Sequence, residues 1–176
     1  KKLIAYCGGV EAVFHEKKSA LLKIPDVGRA AASAVVTQSV LLKAEQEMAF
    51  IRKRDINPLF YLDDGYPERL RYCDDGPVML YCAGKMDLNR KRMVSIVGTR
   101  SATAQGKKFC EDLVEQLAQN NVSIISGLAY GIDITAHKSA LSHGIDDCAG
   151  MGGGLGAVEG AAPLSDQLFA SVSAVT

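Results

Sequence analysis

The 176-residue sequence lacks most of the features that announce a membrane-spanning, secreted or metal-dependent protein. No apolar run approaches the roughly 20 residues that a membrane helix needs, and the opening residues carry no signal-peptide pattern. The five cysteines (Cys7, Cys73, Cys82, Cys110 and Cys148) are scattered and form no CxxC pair. Disulfide and metal frameworks use tighter spacing, so reduced structural thiols in a cytoplasmic protein are expected. His15, His137 and His143 offer no ligand set, and neither a metal nor a cofactor is expected. Lys and Arg are absent altogether from Ser139 to the C-terminus.

What is present suits a folded protein, with 48% hydrophobic and 23% charged residues. The length suffices for one good core and a small second domain. Net charge is zero but unevenly spread. Between Lys85 and Lys108 stand seven basic residues (Lys85, Arg90, Lys91, Arg92, Arg100, Lys107, Lys108) against one acid, Asp87. Such a band fits an anionic partner such as nucleic acid, and a solvated face is the competing reading.

The band surrounds a strand–turn–helix pattern. The apolar run Val94–Val97 breaks at Gly98, and a helical pattern follows from about Thr103 with Phe109, Leu113, Val114 and Leu117 at helical spacing. Asn120-Asn121 stops it, Val122–Ser126 reads as the next strand, and Gly127 ends that strand. The two strand ends lie about 30 residues apart, the size of one βαβ crossover, so a parallel pair is expected. Both C-terminal strand ends then share one rim, where open α/β sheets bind ligands. A strand ending in glycine and feeding a helix offers unpaired amides at a positive dipole end, a ready phosphate site with Arg100 at its tip. The second rim loop, Ser126–Asp133, contains Gly127 and Gly131 and offers Asp133 as an N-cap.

The N-terminal part reads as helical: Lys1–Cys7 closed by Gly8-Gly9, Val10–Lys17 with Val13 and Phe14 buried, and a helix from Arg29 running on to about Ile51. Between them, Ile24-Pro25-Asp26-Val27-Gly28 has the logic of a hairpin turn, with Pro25 fixing the turn, Val27 anchoring it and Gly28 permitting close backbone approach. Helix-hairpin-helix modules hold nucleic-acid phosphates on such turns. A plain turn between packed helices fits equally. Leu59–Leu62 and Val78–Cys82 are further strands, and the domain boundary falls at residues 52–62, giving domains 1–55 and 56–176.

Val97-Gly98-Thr99-Arg100 with Ala102-Thr103 and Gly106, then Ser126-Gly-Leu-Ala-Tyr-Gly-Ile-Asp133 and Ala136-His137-Lys138-Ser-Ala-Leu141, resemble the DNA-processing protein A family (DprA, also called Smf). Asp64–Pro67 with Leu70, and Pro77–Tyr81 with Gly84, match its lead-in, so the resemblance covers roughly residues 1–145. It implies an α/β fold, a Rossmann-like parallel sheet with helices on both faces, preceded by a small helical SAM-like or helix-hairpin-helix domain. It implies a protein that binds single-stranded DNA, protects it, and loads the recombinase RecA onto it in natural transformation, usually as a homodimer and away from membranes. Carried over by residue, Arg100 is the phosphate contact, Gly98, Thr99, Ser126 and Gly127 line the same pocket, and Lys138 is a peripheral positive charge. A structural salt bridge is the alternative for Arg100, and His137 is expected to pack or cap. No nucleophile–base pair, metal-ligand cluster or acidic rim pair is visible, so no catalysis is expected.

The pattern departs from the family after Gly144. A Val-Leu-Gly-Xaa-Gly-Leu-Asp strand, a tyrosine-proline turn and an Arg-Asn-Arg stretch are expected there, and Ile145-Asp-Asp-Cys-Ala-Gly-Met151 stands instead. The sequence from about residue 145 is therefore expected to join separated pieces of a longer chain. Gly153–Glu159 partly echoes the phosphate loop of lysine-decarboxylase-like phosphoribohydrolases, with Ala157 where that loop has threonine. That keeps a nucleotide-processing enzyme open as a second class, and an inert protein-interaction module as a third. Nucleoside monophosphate turnover would mark the former, and absence of DNA binding the latter.

Overall fold

The computed structural model describes residues 1–38, 40–85 and 87–152, and the backbone of Ser173–Val175. The chain divides into two compact units, Lys1–Arg54 and Asp55–Thr176. The Gly153–Glu159 segment and most of the Ala/Ser-rich tail lie outside the described residues.

The first unit is helical, with α1 (Lys2–Cys7), α2 (Val10–His15), α3 (Lys18–Leu21), α4 (Arg29–Thr37) and α5 (Leu41–Lys53). Gly8 closes α1 in the left-handed region at φ 84, and its amide donates to the Ile4 carbonyl. Leu21, Ile24 and Ala32 form the core, with Leu3, Cys7, Val27 and Val35 packed around it. In the Ile24–Gly28 turn, Val27 N–H donates to the Ile24 carbonyl at 3.2 Å, and Val27 reaches the core as expected. Gly28 plays a different part from the expected one: its φ is −77 and nothing lies within 4 Å of where a Cβ would stand. The left-handed residue is Asp26, at φ 65, and it pairs with Lys2. The expected single helix from Arg29 to Ile51 is broken at Gln38, φ 51. There the amide side chain turns inward and donates to the Phe14 carbonyl at 3.3 Å.

The second unit is built on a six-stranded sheet in the order β1-β2-β6-β5-β4-β3. Its strands are β1 (Asn57–Phe60), β2 (Met79–Ala83), β3 (Met93–Ser95), β4 (Ser123–Ser126), β5 (Asp147–Gly150) and β6 (Ser173–Val175). The strands β3 to β6 run parallel to their neighbours, whereas β2 is antiparallel to both β6 and β1. The sheet is thus mixed, where a parallel one was expected, because β1 and β2 are joined locally without a helical crossover and so pair antiparallel. The lead-in between them holds the short α6 (Glu68–Arg71) and the fully buried Tyr66. The Tyr66 hydroxyl donates to the Pro77 carbonyl at 2.6 Å.

Two crossover helices complete the described part, α7 (Ala104–Leu117) and α8 (Ile132–Ser142). Both connections step the same way along the sheet, from β3 to β4 to β5, so right-handed crossovers place both helices on one face. They pack against each other. Helices on both faces were expected, and among the described residues of the sheet only this face carries its two crossover helices. The main core lies beneath them, with Ile96, Cys110, Val114, Val122, Ile124, Ala136, Ala140 and Ile145. The inward stripe of α7 runs through Cys110, Val114 and Leu117. Phe109, expected on that stripe, is 71% exposed, because α8 and the sheet meet α7 one residue further round.

None of the five cysteines is in a disulfide. Burial pushes the Cys82 thiol up to about 11 and the Cys148 thiol up to about 12. Since the thiolate is the reactive species, iodoacetamide at pH 8 should label exposed Cys73 in the native protein, whereas Cys82 and Cys148 should react only after unfolding. In the unfolded chain these two thiols ionise near 9.0. The unfolded state therefore loses its protons first, and stability should fall as pH rises from about 9 toward 12. Peptide mapping of labelled protein and urea titrations across that range check both outcomes.

Candidate functional site

The rim at the C-terminal ends of β3 and β4 is built from two loops that interlock. The first leaves β3 and enters α7 through Thr103, whose Oγ1 accepts from Gly106 N–H at 3.1 Å. Within it, Thr99 Oγ1 accepts from Ser101 N–H at 3.2 Å and tightens the turn. The second leaves β4 and enters α8 at Gly131, φ 88. Ile132 N–H donates to the Thr99 carbonyl at 3.2 Å. A Cβ on Gly131 would collide with the Thr99 carbonyl and lie 2.6 Å from that of Arg100. Beneath the loops, Ile96 N–H donates to the Ile125 carbonyl at 2.9 Å, and Ser126 Oγ donates to the Ile96 carbonyl at 2.6 Å.

The glycines at the strand ends are filled from inside. A Cβ on Gly98 would lie 2.6 Å from the Ile132 side chain, and one on Gly127 would lie 2.6 Å from Asp133 Oδ2. Both positions need glycine for the first turn of α8 to seat, whatever the rim binds. Asp133, expected as the N-cap, lies inside that first turn, and Gly131 occupies the cap position. The reason is that Gly127, having no Cβ, leaves room for the carboxylate to fold under the loop. It is buried there, and its Oδ1 has no partner among the described residues. His137, one turn further along α8, is fully buried. Its Nε2 meets the Gly127 carbonyl at 2.7 Å and its Nδ1 meets Asp147 Oδ2 at 2.7 Å.

Of the six residues expected at the site, Thr99 and Arg100 are exposed on the first loop. Gly98 is exposed and Gly127 half-buried at the two strand ends, and Ser126 is buried with its hydroxyl spent on Ile96. Arg100 makes no hydrogen bond or ion pair to a described residue. The backbone N–H groups of Thr99, Arg100, Leu128, Ala129 and Tyr130 likewise have no backbone partner there. An exposed guanidinium on loops whose amides lack backbone partners among the described residues suits an anion with several oxygens. Lys138 is exposed, but it lies about 9 Å along α8 from Ile132. It lines a groove of about 510 Å³ between α7 and α8 with Lys107, Lys108, Glu111 and Asp112, and Lys108 is tied there to Asp112 at 2.7 Å.

The basic band does not form one face. Arg90 sits at the opposite end of the sheet from the rim, paired with Asp146. It also donates to Ser123 Oγ at 3.0 Å and to Asn121 Oδ1 at 3.2 Å. Arg92 donates to the Asn120 carbonyl at 3.0 Å. The two rim loops also carry two exposed apolar side chains, Val97 (81%) and Tyr130 (62%). Tyr130 was missed in the sequence, although an aromatic residue inside a glycine-bounded rim loop is a usable signal. Among the described residues no cluster of His, Cys, Asp and Glu could hold a metal ion, and no helix is long and apolar enough to cross a membrane.

Residues 57–170 match the family model of DNA recombination-mediator protein A. The DNA processing protein DprA of Streptococcus pneumoniae is 43% identical over 94 residues, 53% of this chain and 33% of that protein. Protein Smf of Escherichia coli is 31% identical over 139 residues, 71% of this chain and 37% of that protein. The match thus spans about a third of these relatives. The X-ray structure of DNA processing protein A from S. pneumoniae superposes with a TM-score of 0.73 at 27% identity, over 99% of this chain and 60% of that one. A structure of the Helicobacter pylori protein, concerned with its single-stranded DNA binding mode, matches at a TM-score of 0.54 and 24% identity, over 68% of this chain and 54% of that one. The H. pylori likeness bears on the fold alone.

Replacing Gly131 with alanine forces a Cβ into the Thr99 and Arg100 carbonyls at a positive φ. Gly131→Ala should cost at least about 2 kcal/mol, read as a lowered urea midpoint. Gly28→Ala, with open space around it, should change stability by less than about 1 kcal/mol.

Proposed function

The chain belongs to the DNA recombination-mediator protein A family, and from that premise we propose that the interlocked rim binds the sugar-phosphate backbone of single-stranded DNA. The observation that carries this reading is Arg100, exposed on a rim whose loops carry amides without backbone partners, and itself without an ion pair among the described residues. A guanidinium holds a phosphate through two hydrogen bonds in one plane, which lysine cannot reproduce. The amides of the two rim loops, without backbone partners among the described residues, can donate to the same oxygens. Tyr130 and Val97 supply the exposed apolar surface on which bases stack once they are unpaired. Contacts of this kind are to backbone and π-faces, so binding is independent of base sequence.

The reading extends to what the family resemblance implies. The second unit is a Rossmann-like DNA-binding domain, and the helical first unit is its SAM-like or helix-hairpin-helix companion. The protein acts in the cytoplasm without catalysis, protecting incoming single strands and loading RecA onto them during transformation. It self-associates through the second unit.

Arg100→Ala should weaken binding of a fluorescent oligothymidylate about tenfold at moderate salt. It should also flatten the slope of log affinity against log salt by about 0.7, one phosphate contact on a single strand, while leaving the urea midpoint unchanged. Lys138→Ala should do less, since Lys138 lies in the α7–α8 groove. Wild-type affinity in Arg100→Ala would move the site off this rim. Light scattering at micromolar concentration should give the mass of a dimer, and a strictly monomeric mass would remove self-association from the reading.

A further inference from the structure

His137 on α8 and Asp147 on β5 form a buried pair beneath the rim. Their side chains are 0% and 1% exposed, in a region whose other buried members on α8 and β5 include Ala136, Ala140, Cys148 and Ala149. A buried polar pair stabilises little relative to apolar side chains of the same volume, so its effect is sought in geometry.

Hydrogen-bond logic sets the arrangement. The Gly127 carbonyl can only accept, so the proton of that 2.7 Å contact belongs to His137 Nε2. Asp147 Oδ2 at 2.7 Å from Nδ1 holds the ring in this orientation. Asp133, four residues before His137 and on the same face of α8, presses Oδ2 against the place of a Gly127 Cβ. One helix face therefore grips Gly127 at its Cα and at its carbonyl. The peptide that follows is planar and trans, so turning the Gly127 carbonyl toward α8 turns the Leu128 N–H the opposite way. That N–H has no backbone partner among the described residues.

Resting on the DNA reading above, we propose that His137 and Asp147 are positioning residues for binding: they hold the Gly127–Leu128 peptide so that the Leu128 N–H is presented as a phosphate donor. Arg100 supplies the charge, and the His137–Asp147 pair supplies the direction of a neutral donor. The two contributions have different signatures, because an amide contact adds affinity without releasing the counterions that set the salt slope.

The test compares two replacements in the full chain. His137→Gln keeps a donor where Nε2 stood, whereas His137→Asn keeps only the contact toward Asp147. Oligothymidylate affinity should fall about tenfold in His137→Asn, with an unchanged salt slope, and stay within about threefold of wild type in His137→Gln. Equal affinities in the two variants, whether both normal or both reduced, would overturn the proposal. Should His137→Asn fail to fold, the wild-type protein decides through NMR. On saturation with oligothymidylate the Leu128 amide proton should shift downfield as it gains a phosphate partner, and an unmoved Leu128 amide would overturn the assignment. If Arg100→Ala binds like wild type, the fault lies in the DNA reading itself; if Arg100→Ala is weak while both His137 variants bind normally, only the positioning role fails.

Discussion

The carbonyls of Thr99 and Arg100 lie so close to the Cα of Gly131 that no side chain fits between them. Most of the rim follows from this contact. It brings the turn after β3 against the start of α8, and the hydrogen bond from Ile132 N–H to the Thr99 carbonyl closes the junction. With α8 seated there, Ile132 fills the space at Gly98, and Asp133 fills that at Gly127. His137 then reaches the Gly127 carbonyl from the next turn of the same helix. The two loops are thus one structural piece, held by backbone contacts that cost little entropy to keep once α8 is packed.

The arginines illustrate how local acceptors divide structural from available charge. Arg90 and Arg92 lie near the start of β3, where Asp146, Asn121 and the Asn120 carbonyl stand within reach and take their donors. Arg69 is spent likewise on the Arg90 and Lys91 carbonyls, at 3.1 Å each. Arg100 emerges at the other end of the same strand, where the neighbouring carbonyls are turned in toward Gly131 and Ile132. Its side chain is left exposed on the same pair of loops as Val97 and Tyr130, both largely exposed. A cation next to exposed apolar surface suits a ligand with both charge and flat faces, as an unpaired nucleotide has.

Several features could be read directly from the residues because they are set within a few positions of the chain. Gly8 closing α1, Thr103 capping α7, and Asn121 closing the short 3-10 turn Ala118–Asn120 after α7, in the left-handed region at φ 49, are all local chemistry. So is the βαβ unit from β3 through α7 to β4, since its spacing permits a parallel pair and its handedness is fixed by chain twist. The rim motifs and Arg100 were legible for the same reason, as glycine at a strand end followed by a helix start is a pattern of neighbours.

What sequence could not decide was everything that depends on partners distant along the chain. The antiparallel β1–β2 pair on one edge of the sheet, the outward turn of Phe109 and the capture of Arg90 by Asp146, 56 residues away, are of this kind. The same holds for the glycines. By sequence alone, Gly98 and Gly127 offer backbone approach to a ligand, and only the packed α8 shows that Ile132 and Asp133 stand against them. His137 carried no visible partner until β5 placed Asp147 beside it. Sequence determined the local turns, the crossover and the charge at the rim, because their causes lie within a turn or two of chain. Tertiary structure alone decided which charges remain available and which buried groups hold the rim, because burial and pairing are settled by residues that meet only when the sheet is assembled.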